Sequence, residues 1–170
     1  MQFIGIDVGT SATKVIVIDD RGEILASASA EYELLQPRAG WTEQNPVDWW
    51  NATVAAVREV LGSANVSRDR IAGIGLSGQM HGLVLLKQIG DPSKLNTVLR
   101  PALLWNDQRT SVECGEITAK LGGVGRVVEA AGNAALTGFT LPKMLWVMKN
   151  EPQVWGQVKC VLTPKDYIRW

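Results

Sequence analysis

The sequence predicts an α/β fold with a mixed β-sheet flanked by helices. Three observations carry this: three strand-like runs in the first thirty residues, a sharply punctuated helix after Asn45, and alternating strands and helices from there on. The chain has 170 residues, 46% of them hydrophobic and 20% charged, which suffices for the buried core of one domain and excludes disorder.

The elements follow in order. Phe3–Ile6 is a short apolar run and Lys14–Ile18 a β-branched one, tightly linked by Gly9-Thr10-Ser11. Asp19-Asp20-Arg21-Gly22 makes a turn, and Glu23–Ala30 returns as an antiparallel partner. Residues 31–45, with Pro37 and Gly40, read as a loop. Asn45 is a good N-cap, Pro46 suits the first helical position and Asp48 the first turn. Trp50, Val54, Val57 and Leu61 then recur at helical spacing as a buried face, and Gly62 ends the helix. Trp49 and Trp50 are both assigned to the core.

Ile71–Leu76 has the look of a buried parallel strand. Val84–Leu86 and Arg100–Trp105 read as further strands. Asp107 is a candidate cap for a helix with Cys114, Ile117 and Leu121 on its apolar face, stopped by Gly122-Gly123. A loop with Gly132 and Gly138 leads to a helix over about Leu141–Asn150. Val158–Leu162 is the last strand, and Thr163-Pro164 starts a final helix.

Charge and cysteine content narrow the function classes. Seventeen Lys+Arg balance seventeen Asp+Glu, so neither a nucleic-acid partner nor a polybasic membrane contact is expected. No run approaches the roughly 18 apolar residues of a membrane span, and Met1–Thr10 lacks the regions of a signal peptide. Cys114 and Cys160 stand apart as reduced thiols, which points to the cytoplasm and leaves the Asn65-Val66-Ser67 sequon unmodified.

Gly5-Ile6-Asp7-Val8-Gly9-Thr10 is the most informative motif. A carboxylate ends an apolar strand, and a glycine turn with two hydroxyls, Thr10 and Ser11, follows at once. Backbone N–H groups in such a turn can hold phosphate oxygens. Asp7 would repel a phosphate unless a divalent cation lay between them, and Mg2+ suits that place. Lys14 can add positive charge if its side chain faces the same way. The competing reading is an ordinary hairpin with an exposed Asp.

Gly73–Gly78 formally spells GxGxxG, but the following residues read as strand and no acidic residue stands about 20 positions on, so a dinucleotide site is rejected. His81 is the single histidine; with Gln79 and Met80 it follows a strand end, where open α/β sheets bind ligands. It is either a hydrogen-bonding group for a polyhydroxylated ligand or a structural residue. Trp105-Asn106-Asp107-Gln108-Arg109 sets an aromatic plane beside amide, carboxylate and guanidinium groups, a set suited to a sugar. Its alternative is that Trp105 fills core and Asp107 only caps. No zinc set, Ser-His-Asp arrangement or GxxxxGK[ST] loop is present.

Taken together, Gly5–Ser11, Trp41-Thr42-Glu43-Gln44-Asn45-Pro46 with Trp49-Trp50, Gln79-Met80-His81-Gly82, Trp105–Arg109, Gly138–Lys143 and Pro164–Tyr167 resemble the N-terminal domain of the xylulose kinases, within the FGGY carbohydrate kinases. The resemblance runs the whole length. It implies an actin-like, ribonuclease H-like fold and ATP-dependent phosphorylation of D-xylulose at its terminal hydroxyl. Asp7 matches the catalytic carboxylate that organises Mg2+ and phosphate, and Met80 and His81 match the sugar-contacting pair. Thr10, Ser11 and Lys14 are then expected at the nucleotide phosphates, and Gln79, Trp105, Asn106 and Asp107 at the sugar.

The resemblance also implies a homodimer, and a second domain carrying the proton-accepting Asp and most of the adenosine pocket. Residues 1–170 are accordingly expected to be the N-terminal domain and inactive alone. A kinase for a related sugar or polyol, and a non-catalytic sugar-binding module, are the alternatives.

Overall fold

A computed structural model describes residues 1–88 and 97–170. The chain forms two compact units: Met1–Leu34 with Asn45–Met80 and Pro164–Trp170, and Leu35–Gln44 with His81–Thr163.

The first unit is built on a four-stranded sheet, ordered β3-β2-β1-β5, from β1 (Gln2–Val8), β2 (Ala12–Asp19), β3 (Ile24–Glu31) and β5 (Ile71–Gly78). The first three strands are antiparallel neighbours and β5 runs parallel to β1, so the sheet is mixed as the sequence predicts. Alternation selects the faces. Ile4, Ile6 and Val8 of β1 and Thr13, Val15 and Val17 of β2 are buried, whereas Phe3, Gly5, Asp7, Lys14, Ile16 and Ile18 lie on the other side. The Asp19–Gly22 turn forms as expected: the Asp19 carboxylate accepts from the amides of Arg21 and Glu23, which lowers its pKa, and Gly22 has a φ of 84°.

Helix α1 (Pro46–Leu61) starts at Asn45, whose side chain accepts from the Val47 amide. Its buried face differs from the expected one. Trp49, Ala52, Thr53, Ala56 and Val60 are buried, while Trp50 is 38% exposed and Val54, Val57 and Leu61 are half-buried. The alanines let the helix lie close to the sheet, and Trp49 meets Tyr167 of α6 (Pro164–Arg169) edge-on at 6.5 Å. A 3-10 turn (Arg68–Arg70) precedes β5. Gly78 ends β5 at a φ of 149°, where a Cβ would stand 2.7 Å from the Val8 carbonyl oxygen; only glycine fits this crossing.

The second unit carries two short antiparallel ladders. One pairs β4 (Glu43–Gln44) with β7 (Ala102–Leu103), the other β6 (Val84–Leu86) with β8 (Cys160–Leu162). The 31–45 region, read as loop, thus contains β4, and the Arg100–Trp105 strand is shorter than expected. Helices α2 (Ser111–Lys120), α3 (Val124–Ala131), α4 (Thr140–Asn150) and α5 (Pro152–Trp155) complete it. Of these, α3 and α5 escape the sequence reading. Leu83, Leu85, Leu103 and Val147 form the core, with Met144, Trp146, Trp155 and Val161 against it. No helix among the described residues is long and apolar enough to cross a membrane.

Candidate functional site

The first unit brings Asp7, Thr10, Ser11 and Lys14 to one hairpin. The antiparallel register pairs Asp7 with Lys14, and the parallel one pairs Asp7 with Ser77. Cross-strand partners share a face, so Lys14 lies on the same side as Asp7. Both are exposed and line an open groove of about 510 Å³ floored by Gly5, Ile16 and Gly75.

The turn between β1 and β2 is held at its first residue. The Gly9 amide donates to the Ala12 carbonyl at 3.0 Å. The Gly9 carbonyl accepts from the Tyr32 hydroxyl at 2.6 Å and from Gln79 Nε2 at 2.9 Å. Tyr32 also donates its amide to Ser11 O, and Gln79 donates its amide to Val8 O. Gln79, expected at a sugar, is buried and has its amide nitrogen committed to this turn. Tyr32 is absent from the sequence-based set; its position just beyond β3, opposite the turn, is visible only once the strands are paired. Burial raises the Tyr32 pKa, as does the nearby Asp7 charge, while a hydrogen bond with Thr13 lowers it. Met80 follows, 56% exposed.

The second unit holds His81, Trp105, Asn106 and Asp107. His81 is exposed, its imidazole 4.7 Å from the Phe139 ring at 53°. Its carbonyl oxygen accepts from Lys143 Nζ at 3.1 Å and from Thr140 Oγ1 at 3.3 Å. Trp105 is half exposed, and Gly138 passes so close that a Cβ there would stand 2.5 Å from the Trp105 carbonyl oxygen. The Asn106 side-chain oxygen accepts from Thr42 Oγ1 at 2.8 Å.

Asp107 is fully buried, and both carboxylate oxygens serve the fold. One accepts from the Thr42 amide at 2.7 Å and Arg109 Nη2 at 2.7 Å; the other accepts from the Arg109 amide at 3.0 Å and Nε at 2.9 Å. The expected capping role is corrected, because α2 begins at Ser111 after Thr110. Arg109 continues to Glu43 at 2.8 Å, Glu43 to Arg100 at 2.5 Å, and Arg100 to Glu151 at 3.0 Å. The Arg109 guanidinium also lies over Trp41, 3.8 Å from its ring centre. This is a bidentate, largely desolvated network, none of which was anticipated.

Chemically, the hairpin offers one exposed carboxylate, one ammonium, two hydroxyls and a braced glycine turn. A single carboxylate suits a cation that keeps most of its water and phosphate ligands, as Mg2+ does. Among the described residues no group of three His, Cys, Asp or Glu side chains could cage a metal. The 81 and 105–107 segments offer one half-exposed ring face, that of Trp105, and an imidazole, means for stacking on and hydrogen-bonding to a hydroxylated ligand.

The FGGY family of carbohydrate kinases, N-terminal domain, matches residues 2–170. The chain is 46% identical over 167 residues to xylulose kinase from Bacillus subtilis, covering 98% of this chain and 32% of that protein. Identity to xylulose kinase from Escherichia coli K12 is 41% over 168 residues, covering 99% and 32%. The crystal structure of xylulose kinase from Rhodospirillum rubrum superposes with a TM-score of 0.89 at 30% identity, over 99% of this chain and 33% of that one. The chain thus spans about a third of the length of these relatives. Its fold is that of the actin-like, ribonuclease H-like sugar kinases. With the match running from Gln2 to Trp170, this chain belongs to the FGGY family of carbohydrate kinases, whose N-terminal domain it represents.

Proposed function

We propose that this chain supplies the phosphate hairpin and the sugar-facing segments of an ATP-dependent D-xylulose kinase. The observation that carries the reading is the 46% identity to a xylulose kinase over nearly the whole chain, together with the Asp7–Lys14 pair beside the Gly9–Ser11 turn.

In this reading Asp7 would hold Mg2+, and Lys14 with the hydroxyls and amides of Thr10 and Ser11 would orient the phosphates. The cation supplies neutralisation of charge on the transferring phosphoryl group. Tyr32 and Gln79 keep the turn in one shape. Met80, His81 and Trp105 face the sugar, while Asp107 and Asn106 fix the segment that presents Trp105. We place the enzyme in the cytoplasm, in keeping with its two free thiols, and expect it to assemble as a homodimer.

The test is a chimera in which this chain replaces the matching third of the Bacillus subtilis xylulose kinase. ADP release is measured with D-xylulose, glycerol and gluconate. D-xylulose is expected to give the highest kcat/KM. A chimera that folds and prefers another substrate would reassign the sugar, and one with no sugar-dependent ADP release would refute the reading.

A further inference from the structure

Lys143 is fully buried, yet its ammonium donates three hydrogen bonds to backbone carbonyls: His81 at 3.1 Å, Phe139 at 3.3 Å, and Gly138. An ammonium has three donors, so this set saturates it. Two acceptors lie just ahead of α4, the helix that carries Lys143; the third lies 62 positions away in sequence. The His81 carbonyl takes a further bond from Thr140. Phe139, whose carbonyl Lys143 also holds, places its ring against the His81 imidazole.

We propose that Lys143 is the positioning residue of His81: it fastens the backbone at residue 81 to the turn at 138–139 and thereby seats the imidazole on Phe139. That this seating reaches a sugar rests on the proposed function. The group is costly to keep. Burial pushes the Lys143 pKa down to about 8, against the raising effect of the Asp107 and Cys114 charges. A lysine serving only to fill space would be replaceable by an apolar chain at a gain, and a turn at a helix start needs no cation to close it.

The sequence has a single histidine, so the imidazole protons are assigned in a proton NMR spectrum without ambiguity. Phe139→Leu calibrates the loss of the ring contact. Lys143→Met is expected to displace the His81 signals in the direction seen with Phe139→Leu and to weaken D-xylulose binding about tenfold by calorimetry, the scale of one lost hydrogen bond. Unmoved His81 signals in folded Lys143→Met protein would overturn the proposal. Should that variant fail to fold, the wild-type protein decides. With 15N in the lysine side chains and 13C at the histidine carbonyl, a coupling between Lys143 Nζ and the His81 carbonyl supports the proposal, and its absence overturns it. Absence of D-xylulose binding by the wild type would count against the proposed function, while the NMR result would still decide the role of Lys143.

Discussion

Tyr32 donates its hydroxyl to the carbonyl of Gly9 at 2.6 Å, closing the β1–β2 turn from the far side of β2. Gln79 reaches the same oxygen at 2.9 Å from the end of β5. One peptide group is therefore fixed by two side chains from opposite flanks, and the next residues, Thr10 and Ser11, inherit its orientation.

Removing these donors is expected to affect nucleotide before sugar. In the chimera, Tyr32→Phe should raise the KM for ATP about 2- to 10-fold, the value of one part-buried hydrogen bond. D-xylulose affinity should stay within about twofold, a margin smaller than any single hydrogen bond on that scale. Steady-state kinetics with each substrate varied in turn separate the two; equal losses for both would mean that Tyr32 supports the fold alone.

His81→Ala tests the proposal that the His81 segment faces a sugar. If the imidazole bonds a sugar hydroxyl, its loss should weaken D-xylulose binding about 5- to 150-fold, corresponding to roughly 1–3 kcal/mol. Calorimetry on folded protein reads this directly. Unchanged affinity would return His81 to a structural role.

Asp107 anchors the network two residues beyond Trp105 in the chain. Asp107→Ala leaves the Thr42 amide without its bond and Arg109 buried without its bidentate partner, and should cost about 3–5 kcal/mol of stability. Denaturant unfolding measures it. A loss below about 1 kcal/mol, the range of exposed pairs, would show that Glu43 compensates fully for Arg109.

Lys143 gives a pH signature. Its folded pKa of about 8 lies below the ordinary 10.5, so between those values the unfolded chain holds a proton that the folded chain lacks. Stability contributed by this residue therefore rises with pH across that window, by up to roughly 3 kcal/mol, and the full cost of the buried charge is present below pH 8. Burial raises the pKa of Cys114 and Tyr167, which works in the opposite direction at high pH. The comparison is therefore wild type against Lys143→Met, and the gap between them should widen in favour of wild type from pH 8 to 10.5. A constant gap would mean that the ammonium is not desolvated.

The hairpin and the start of α1 are legible because their signals are local: β-branched runs, an Asp19-Asp20-Arg21-Gly22 turn, and an Asn-Pro start. The buried face of α1 departs from the expected one for a physical reason. Trp50, Val54, Val57 and Leu61 outweigh Ala52, Thr53 and Ala56 in hydropathy, but close approach to a sheet favours the small residues beside Trp49. Short α3 lies between glycines with no capping side chain, and its apolar spacing, Val124, Val127, Val128 and Ala131, lasts only two turns, too brief to set it apart from the glycine-rich loop around it. The bonds that tie Asp107 to Thr42, Arg100 to Glu43 and Lys143 to His81 each span more than fifty positions. Spacing cannot report such pairs: Asp107 reads as a cap, and Lys143 stands in the Gly138–Lys143 segment of the resemblance with no sign of its tie to His81.

The central claim, that the Asp7 hairpin carries the phosphoryl chemistry, meets its most direct test in Asp7→Asn within the chimera. Turnover with saturating D-xylulose and Mg-ATP should fall by roughly 10²–10³-fold, because charge on the transferring phosphoryl loses its organised neutralisation. D-xylulose affinity should be unchanged. Turnover near that of the parent chimera would contradict the account and remove Asp7 from the reaction.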